Sequence, residues 1–440
     1  MRRRLRAFMP VLAVAAAVLA TSPAFAAGFG IFEQGTKAMG MAGAFTAQAD
    51  DPSALFHNPA GIAFQEERDF ALGFTWIRSL EAEFQGSDAG FPGSGVSEEQ
   101  ETLSEFPPHA YWVQPMSQNW TFGLGVMTPF GLTTEWKDVP NFSGRFISHL
   151  ASLTAIDVNP TFGWQATPNL GLAVGAIGRF STVELERNVP QFNPFTQTVA
   201  DIATLHLEGD FDNSGYGWNA GLLHRVGGGN FSWGLSYRSQ ISVDYEGDAE
   251  LTQNLTGTPF DALIATRLPF GSTFPVETGI DFPDMASLGF AYRFTPTFLA
   301  ELDLNWTGWS SFDKLDIVFP EGQLPSSTIP EEYEDANNYR LGFAWDTSAT
   351  NQWRFGVVFD ETPQPEPAVS PLLPDSDRLG YTLGWGHEGN RVDFDLALMY
   401  LTFDDRTRDE NFSASAEDRA AEYFGTYNTE AVLLGLTLGF

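Results

Sequence analysis

Long stretches of this 440-residue chain alternate apolar and polar side chains with a period of two. Phe231, Trp233, Leu235, Tyr237, Ile241, Val243 and Tyr245 fall on one face of an extended segment, and Ser232, Ser236, Arg238, Gln240, Ser242, Asp244 and Glu246 on the other. The pattern returns with Phe298, Ala300, Leu302, Leu304 and Trp306 against Glu301, Asp303 and Asn305, and with Val392, Phe394, Leu396, Leu398 and Tyr400 against Arg391, Asp393 and Asp395. A soluble sandwich also alternates, but three features point to a membrane barrel. The apolar faces carry aromatics near their ends, as at Phe231 and Tyr245, which suits two interfacial girdles. Short turns (Thr167-Pro168-Asn169, Gly227-Gly228-Gly229, Glu388-Gly389-Asn390) take turns with long polar segments (188–205 and 361–377), the arrangement of periplasmic turns facing extracellular loops. The chain also stops on a strand, with Val432, Leu434, Leu436, Leu438 and Phe440 on one face.

An unpaired sheet edge has no place in hydrocarbon, so such strands must close on themselves. Segments near 70–84, 105–114, 119–136, 148–165, 169–187, 203–226, 230–250, 276–294, 298–318, 336–346, 351–361, 377–388, 391–405 and 428–440 give fourteen, an even number as antiparallel closure requires, with twelve and sixteen as alternatives. Arg2, Arg3, Arg4 and Arg6, the apolar run Val11 to Ala20 and the small-x-small Ala24-Phe25-Ala26 read as a cleaved secretory signal, the run being shorter than the ~20 residues of a spanning helix. The expected division is 1–26 signal peptide, 27–66 a separate insert and 67–440 barrel, located in a Gram-negative outer membrane amid bilayer lipid and lipopolysaccharide. Terminal Phe440 is the expected handle for the barrel assembly machinery. Formal charge is −33, and the first 26 residues hold four of the 23 basic groups and none of the 56 acidic ones, which excludes nucleic-acid binding. The absence of cysteine excludes disulfide scaffolds and Cys-ligated metals.

Residues 27–66 break the alternation. They carry Gly28, Gly30, Gly35, Gly40, Gly43 and Gly61 and the run Asp50-Asp51-Pro52-Ser53-Ala54-Leu55-Phe56-His57-Asn58-Pro59-Ala60-Gly61. This stretch resembles the N-terminal hatch of the FadL-type family, the long-chain fatty acid and hydrocarbon transporters of the bacterial outer membrane, in which an Asn-Pro-Ala element lies inside the barrel. Further motifs follow in the family's order: Phe130-Gly131-Leu132-Thr133-Thr134-Glu135-Trp136, Gly217-Trp218-Asn219-Ala220-Gly221, Leu235-Ser236-Tyr237-Arg238-Ser239, Trp306-Thr307-Gly308-Trp309-Ser310-Ser311-Phe312, Tyr339-Arg340-Leu341-Gly342, Phe359-Asp360-Glu361-Thr362-Pro363 and Leu373-Pro374-Asp375-Ser376-Asp377-Arg378. The resemblance implies an all-β fold, a 14-stranded antiparallel transmembrane β-barrel with a hatch in its lumen. It also implies passive uptake of hydrophobic compounds, whether long-chain fatty acids, alkanes or aromatics, with ligand-driven hatch movement and lateral exit through a kink in the third strand.

On this reading the hatch residues are Phe56, Asn58, Pro59 and Ala60. The exit falls at Pro129, Phe130 and Gly131, since Pro129 cannot donate to a ladder and Gly131 has no side chain to pack; a simple loop is the alternative. Arg187 matches a family position whose cation faces the ligand head group, but it is equally a rim residue paired with Glu184 or Glu186. The family's second basic position falls on Asp316, leaving Lys314, two residues earlier, as its neighbour on the strand face; Arg340 is a third lumen cation. No two of the six histidines share metal-ligand spacing on one strand, so no metal and no cofactor is expected. The acidic loops (Glu98, Glu99, Glu101; Glu331, Glu332, Glu334, Asp335) read as solvated faces. No Ser/His pair compels a nucleophile, so no catalytic residue is assigned. A diffusion porin, an outer-membrane lipase-type enzyme and an adhesin are the competing classes.

Overall fold

The structure, a computed structural model, describes residues 28–87, 93–226, 229–412, 420 and 422–440. The signal reading of residues 1–26 and two glycines of the 227–229 turn lie outside them. Fourteen antiparallel strands close into one barrel. They are β1 (Asp69–Gly86), β2 (Pro108–Pro115), β3 (Trp120–Glu135), β4 (Leu150–Thr167), β5 (Leu170–Asn193), β6 (Thr198–Gly209 and Ser214–Val226), β7 (Phe231–Arg238 and Ile241–Gln253) and β8 (Thr273–Phe282 and Met285–Thr295). β9 (Phe298–Thr307), β10 (Ala336–Asp346), β11 (Asn351–Asp360), β12 (Arg378–His387), β13 (Asp393–Phe403) and β14 (Gly425–Gly439) complete the ring. β14 returns to β1 from Ala71↔Gly439 to Gly86↔Gly425, so the sheet closes on itself and leaves no free edge at this seam.

Exposed Trp120, Trp164, Trp345 and Trp353 form one aromatic belt near the short turns, and exposed Tyr216, Trp218, Tyr381 and Tyr400 lie toward the opposite end. Between the belts the lumen face is polar: Asp157, Asn159, Thr161 and Asn219 are fully buried, and Asn159 and Asn219 exchange side-chain hydrogen bonds.

Two sequence expectations need correction. The run Phe231 to Tyr245 does not keep one face, because Ser239-Gln240 in β7 and Pro283-Asp284 in β8 break both strands side by side. Below the break Leu235 is 44% exposed and Ser236 and Arg238 are buried; above it Ile241, Val243 and Tyr245 are buried and join the central apolar cluster. The reversal is physical: below it the wall faces lipid, above it water. The extracellular wall is therefore a cup, greasy inside and acidic outside. The strand expected over 298–318 ends at Thr307. Trp309–Ser311 turns in a 3-10 helix, and Lys314–Ile317 pairs with Ser327–Pro330 as a separate hairpin.

Residues 28–66 contact strands all round the ring, which only an insert in the lumen can do. α1 (Thr36–Met39), α2 (Ala54–His57) and a 3-10 helix (Pro59–Phe64) are each too short to stand alone and are held by the wall. Inward glycines let this backbone approach: a Cβ at Gly356 would lie 2.5 Å from the Met41 carbonyl carbon.

Candidate functional site

The hatch is anchored through buried polar groups. Asn58 has no exposed surface; its Nδ2 donates to Thr46 O (2.7 Å) within the hatch and to Leu222 O (3.1 Å) on β6, and its Oδ1 accepts from Ala60 N (3.1 Å). Pro59 starts the 3-10 turn that Asn58 caps, a position where its missing N–H costs nothing. On the opposite wall Asp303 Oδ2 accepts from Phe45 N and Thr46 N (both 2.9 Å), and Glu301 Oε1 accepts from Ala47 N (2.5 Å) and Gln48 N (3.3 Å). Two buried carboxylates thus hold four successive backbone N–H groups. Arg340 joins this set rather than facing an open lumen: Nη1 donates to Ala42 O (2.9 Å), Nε to Asn338 Oδ1 (2.9 Å), and the guanidinium lies over Phe32. A cavity of about 30 Å³ lies between hatch and wall, lined by Phe32, Phe56, His57, Arg238 and Arg340 among others, with room for about one water.

The hatch also completes the wall. β3 pairs with β2 only as far as Val126↔Ala110, and its ladder to β4 slips between Met127 and Phe130. The β3 edge at Thr128 to Gly131 is taken by the start of the hatch instead: Ile31 N donates to Pro129 O (2.8 Å) and Gly131 N to Phe29 O (3.0 Å), with Gly30 opposite Phe130. Buried Gln34 acts as a further rung, accepting from Thr128 N (3.1 Å) and donating to Thr128 O (2.6 Å). Pro129, Phe130 and Gly131 thus sit at a gap in strand-to-strand pairing plugged by residues 29–34.

Behind this plug, Phe29 packs edge-on against Phe130, Phe282, Trp309 and Phe312, filling the centre of the apolar cluster. At its floor lies a group that sequence reasoning missed. Arg179 binds Asp157 through Nε (2.8 Å) and Nη2 (2.9 Å), and its guanidinium is sandwiched 4.6 Å from both the Phe130 and Phe282 ring centroids. Arg238 Nη2 stands 3.6 Å from the same Asp157 and the side chain lies over Phe56. Two buried guanidiniums share one carboxylate, and Arg179 Nη1 has no hydrogen-bond partner among the described residues. The available signal was Asp157 and Arg179 within otherwise neutral strand faces.

The other two expected cations are elsewhere. Lys314, half exposed on the outer hairpin, pairs with Asp316 (2.7 Å), which holds its ammonium above the ordinary value. Arg187 is half-buried on β5, opposite Leu205, at the wall of a second apolar cluster that fills the cup with Leu185, Leu205, Leu207, Leu251, Phe260 and Phe274.

Comparison with known proteins places this geometry. Residues 17–440 match the model of the family described as outer membrane protein transport protein (OMPP1/FadL/TodX). The long-chain fatty acid transport protein of Escherichia coli O6:H1 is 25% identical over 413 residues, covering 89% of this chain and 90% of that one. Outer membrane protein P1 of Haemophilus influenzae is 24% identical, over 90% of each. Among solved structures, a Pseudomonas aeruginosa FadL homologue superposes with a TM-score of 0.78 at 20% identity, covering 94% of this chain and 99% of that one. The toluene transporter TodX of P. putida gives 0.69 at 16% identity, covering 95% and 99%.

Proposed function

The chain belongs to the outer membrane protein transport protein family (OMPP1/FadL/TodX), and from that premise we propose that it is a passive uptake channel for long-chain fatty acids whose hatch moves on ligand binding and whose ligand leaves sideways through the wall. It is a transport protein of the outer membrane and not an enzyme. A diffusion porin would need an open lumen, and here residues 28–66 are packed into it.

The observation that carries the carboxylate reading is the charge balance at Asp157. Arg179 and Arg238 leave one positive charge uncompensated at that site, among aromatic rings, with a free N–H on Arg179. Burying such a charge is costly unless an anion completes it. A fatty acid supplies both parts, an acyl chain for the space Phe29 occupies and a carboxylate for Arg179. The greasy cup gathers the ligand first. Displacing Phe29 then withdraws the residues that plug β3, so binding and opening the wall become one event.

Uptake of oleate and of toluene by a transporter-deficient strain carrying Arg179→Met tests this. Asp157 keeps Arg238 as its partner, so the barrel should assemble. Oleate uptake should fall about tenfold, the worth of one charge-assisted hydrogen bond, with toluene uptake little changed. Equal loss of both would make Arg179 structural, and unchanged oleate uptake would remove it from recognition.

Gly131→Val probes the exit. A Cβ there meets the Ile31 Cδ1 at 2.9 Å, the mobile end of a hatch side chain, and otherwise only ordinary contact with Leu153 O. The variant should keep surface abundance and heat-modifiability while uptake drops severalfold, because the added branches occupy the gap. Full transport by a correctly assembled variant would place the exit elsewhere, past the hatch into the periplasm.

A further inference from the structure

The outward face of the cup carries a cluster that transport does not use. β5 and β6 set Glu184 directly opposite Glu208 and Glu186 directly opposite His206, and β7 continues the rows with Asp248 beside Glu208 and Glu250 beside His206. Like charges directly opposed across strands are destabilising, so these rows favour a cation among them. His206 Nδ1 lies 2.9 Å from Glu186 Oε1 and 3.7 Å from Glu184 Oε1, and one ligand atom from each of the three residues lies within 4.8 Å of the others. These are separations at which donors meet around one ion.

A second, independent observation comes from the residue just before β4. His149 is 5% exposed, and its Nδ1 points at Glu186 Oε2 from 3.8 Å, beyond hydrogen-bond distance. Its proton is placed by a neighbour: Asn188 donates from Nδ2 to Asp201 Oδ2 (2.5 Å), which turns Asn188 Oδ1 toward His149 Nε2 (3.2 Å). Nε2 therefore carries a hydrogen, and Nδ1 is the nitrogen turned to the carboxylate. An imidazole oriented by a hydrogen bond at its far nitrogen, with its near nitrogen turned to a carboxylate, is how proteins hold a metal.

We propose that Glu184, Glu186 and His206, with His149 behind them, form a binding site for a divalent transition cation of the zinc class. An imidazole with two carboxylates, backed by a second imidazole 3.8 Å from Glu186, suits such an ion, whereas calcium and magnesium prefer oxygen alone. The ion would cancel the opposed carboxylates and tie β5 to β6. Those strands line the cup with their alternate residues Leu185, Leu205 and Leu207, so the site lies back to back with the apolar cluster. The two histidines come from different parts of the chain, one just before β4 and one on β6, which is why no histidine spacing along one strand announces the site.

The full-length barrel, purified in detergent and stripped with EDTA, is titrated calorimetrically with Zn²⁺ and, in parallel, with Ca²⁺. The expected result is about one Zn²⁺ per barrel at micromolar Kd with proton release, and far weaker Ca²⁺ binding. His206→Ala and, as a milder change at a half-exposed position, Glu184→Gln should each weaken Zn²⁺ binding at least about tenfold while the barrel stays heat-modifiable. Three results would overturn the site: no saturable Zn²⁺ binding, undiminished binding by the folded variants, or Ca²⁺ binding that equals Zn²⁺ and ignores His206→Ala.

Discussion

With Gly30→Cys and Phe130→Cys introduced together, uptake of hydrophobic substrate should fall at least about tenfold in the oxidised barrel and return on reduction, because the bond pins the start of the hatch to the strand it must leave. Gly30 and Phe130 are antiparallel bridge partners flanked by the bonds Ile31 N to Pro129 O and Gly131 N to Phe29 O. Such a pair holds its Cα atoms about 4.5–5.5 Å apart, inside the usual disulfide range. The chain has no cysteine of its own, so the new thiols have only each other, in a compartment that oxidises them. Phe130→Cys alone is the control for losing the ring that covers Arg179. Heat-modifiable mobility with and without reductant shows that the barrel is intact in both states. A cross-linked barrel that transports at full rate would mean that residues 29–31 stay on β3 throughout and that the gap at Pro129 to Gly131 is not the way out.

What was legible in the sequence follows from how local each signal is. Strand number and most strand positions could be read because alternation is a property of neighbouring residues. The turn at Asn58 is local because a whole motif surrounds it, and so is the break in pairing at Pro129 to Gly131, because proline and glycine act on their own backbone. The change of face at Ser239-Gln240 could not, since Ile241 and Leu235 are equally apolar and only the membrane boundary decides which side each takes. Alternation runs on past Thr307 and so extends β9 to Lys314, although the chain turns away there. Arg238 falls on the hydrophilic face of its strand and nothing local singles out Arg179 or Asp157; what sets the three apart is that two cations from β5 and β7 meet one acid on β4. Glu301 and Asp303 were read only as the hydrophilic side of a strand, and their partners lie some 250 residues away in the chain.

Those two carboxylates govern the second large effect. Glu301→Ala with Asp303→Ala should give a barrel that assembles normally but leaks ions. A hydrogen bond to a backbone N–H contributes about 0.5–1.5 kcal/mol net in general, and four of them converge here on residues 45–48. Against that stands the cost of keeping two neighbouring carboxylates out of water, which the double alanine variant relieves. The hatch terms win because removing both acceptors leaves four buried N–H groups without partners, and each unpaired donor costs more than the bond it had contributed net. The wall itself loses little, since β9 keeps its ladders to β8 and β10. The segment released is the one whose far ends Asn58 and Arg340 still hold, so it should loosen without leaving the lumen. Glu301→Gln with Asp303→Asn retains an acceptor oxygen at each place and should conduct far less than the alanine pair. Planar-bilayer recording of both variants beside the wild type checks this order. A silent alanine variant of normal heat-modifiability would show that the remaining anchors close the channel without the carboxylates.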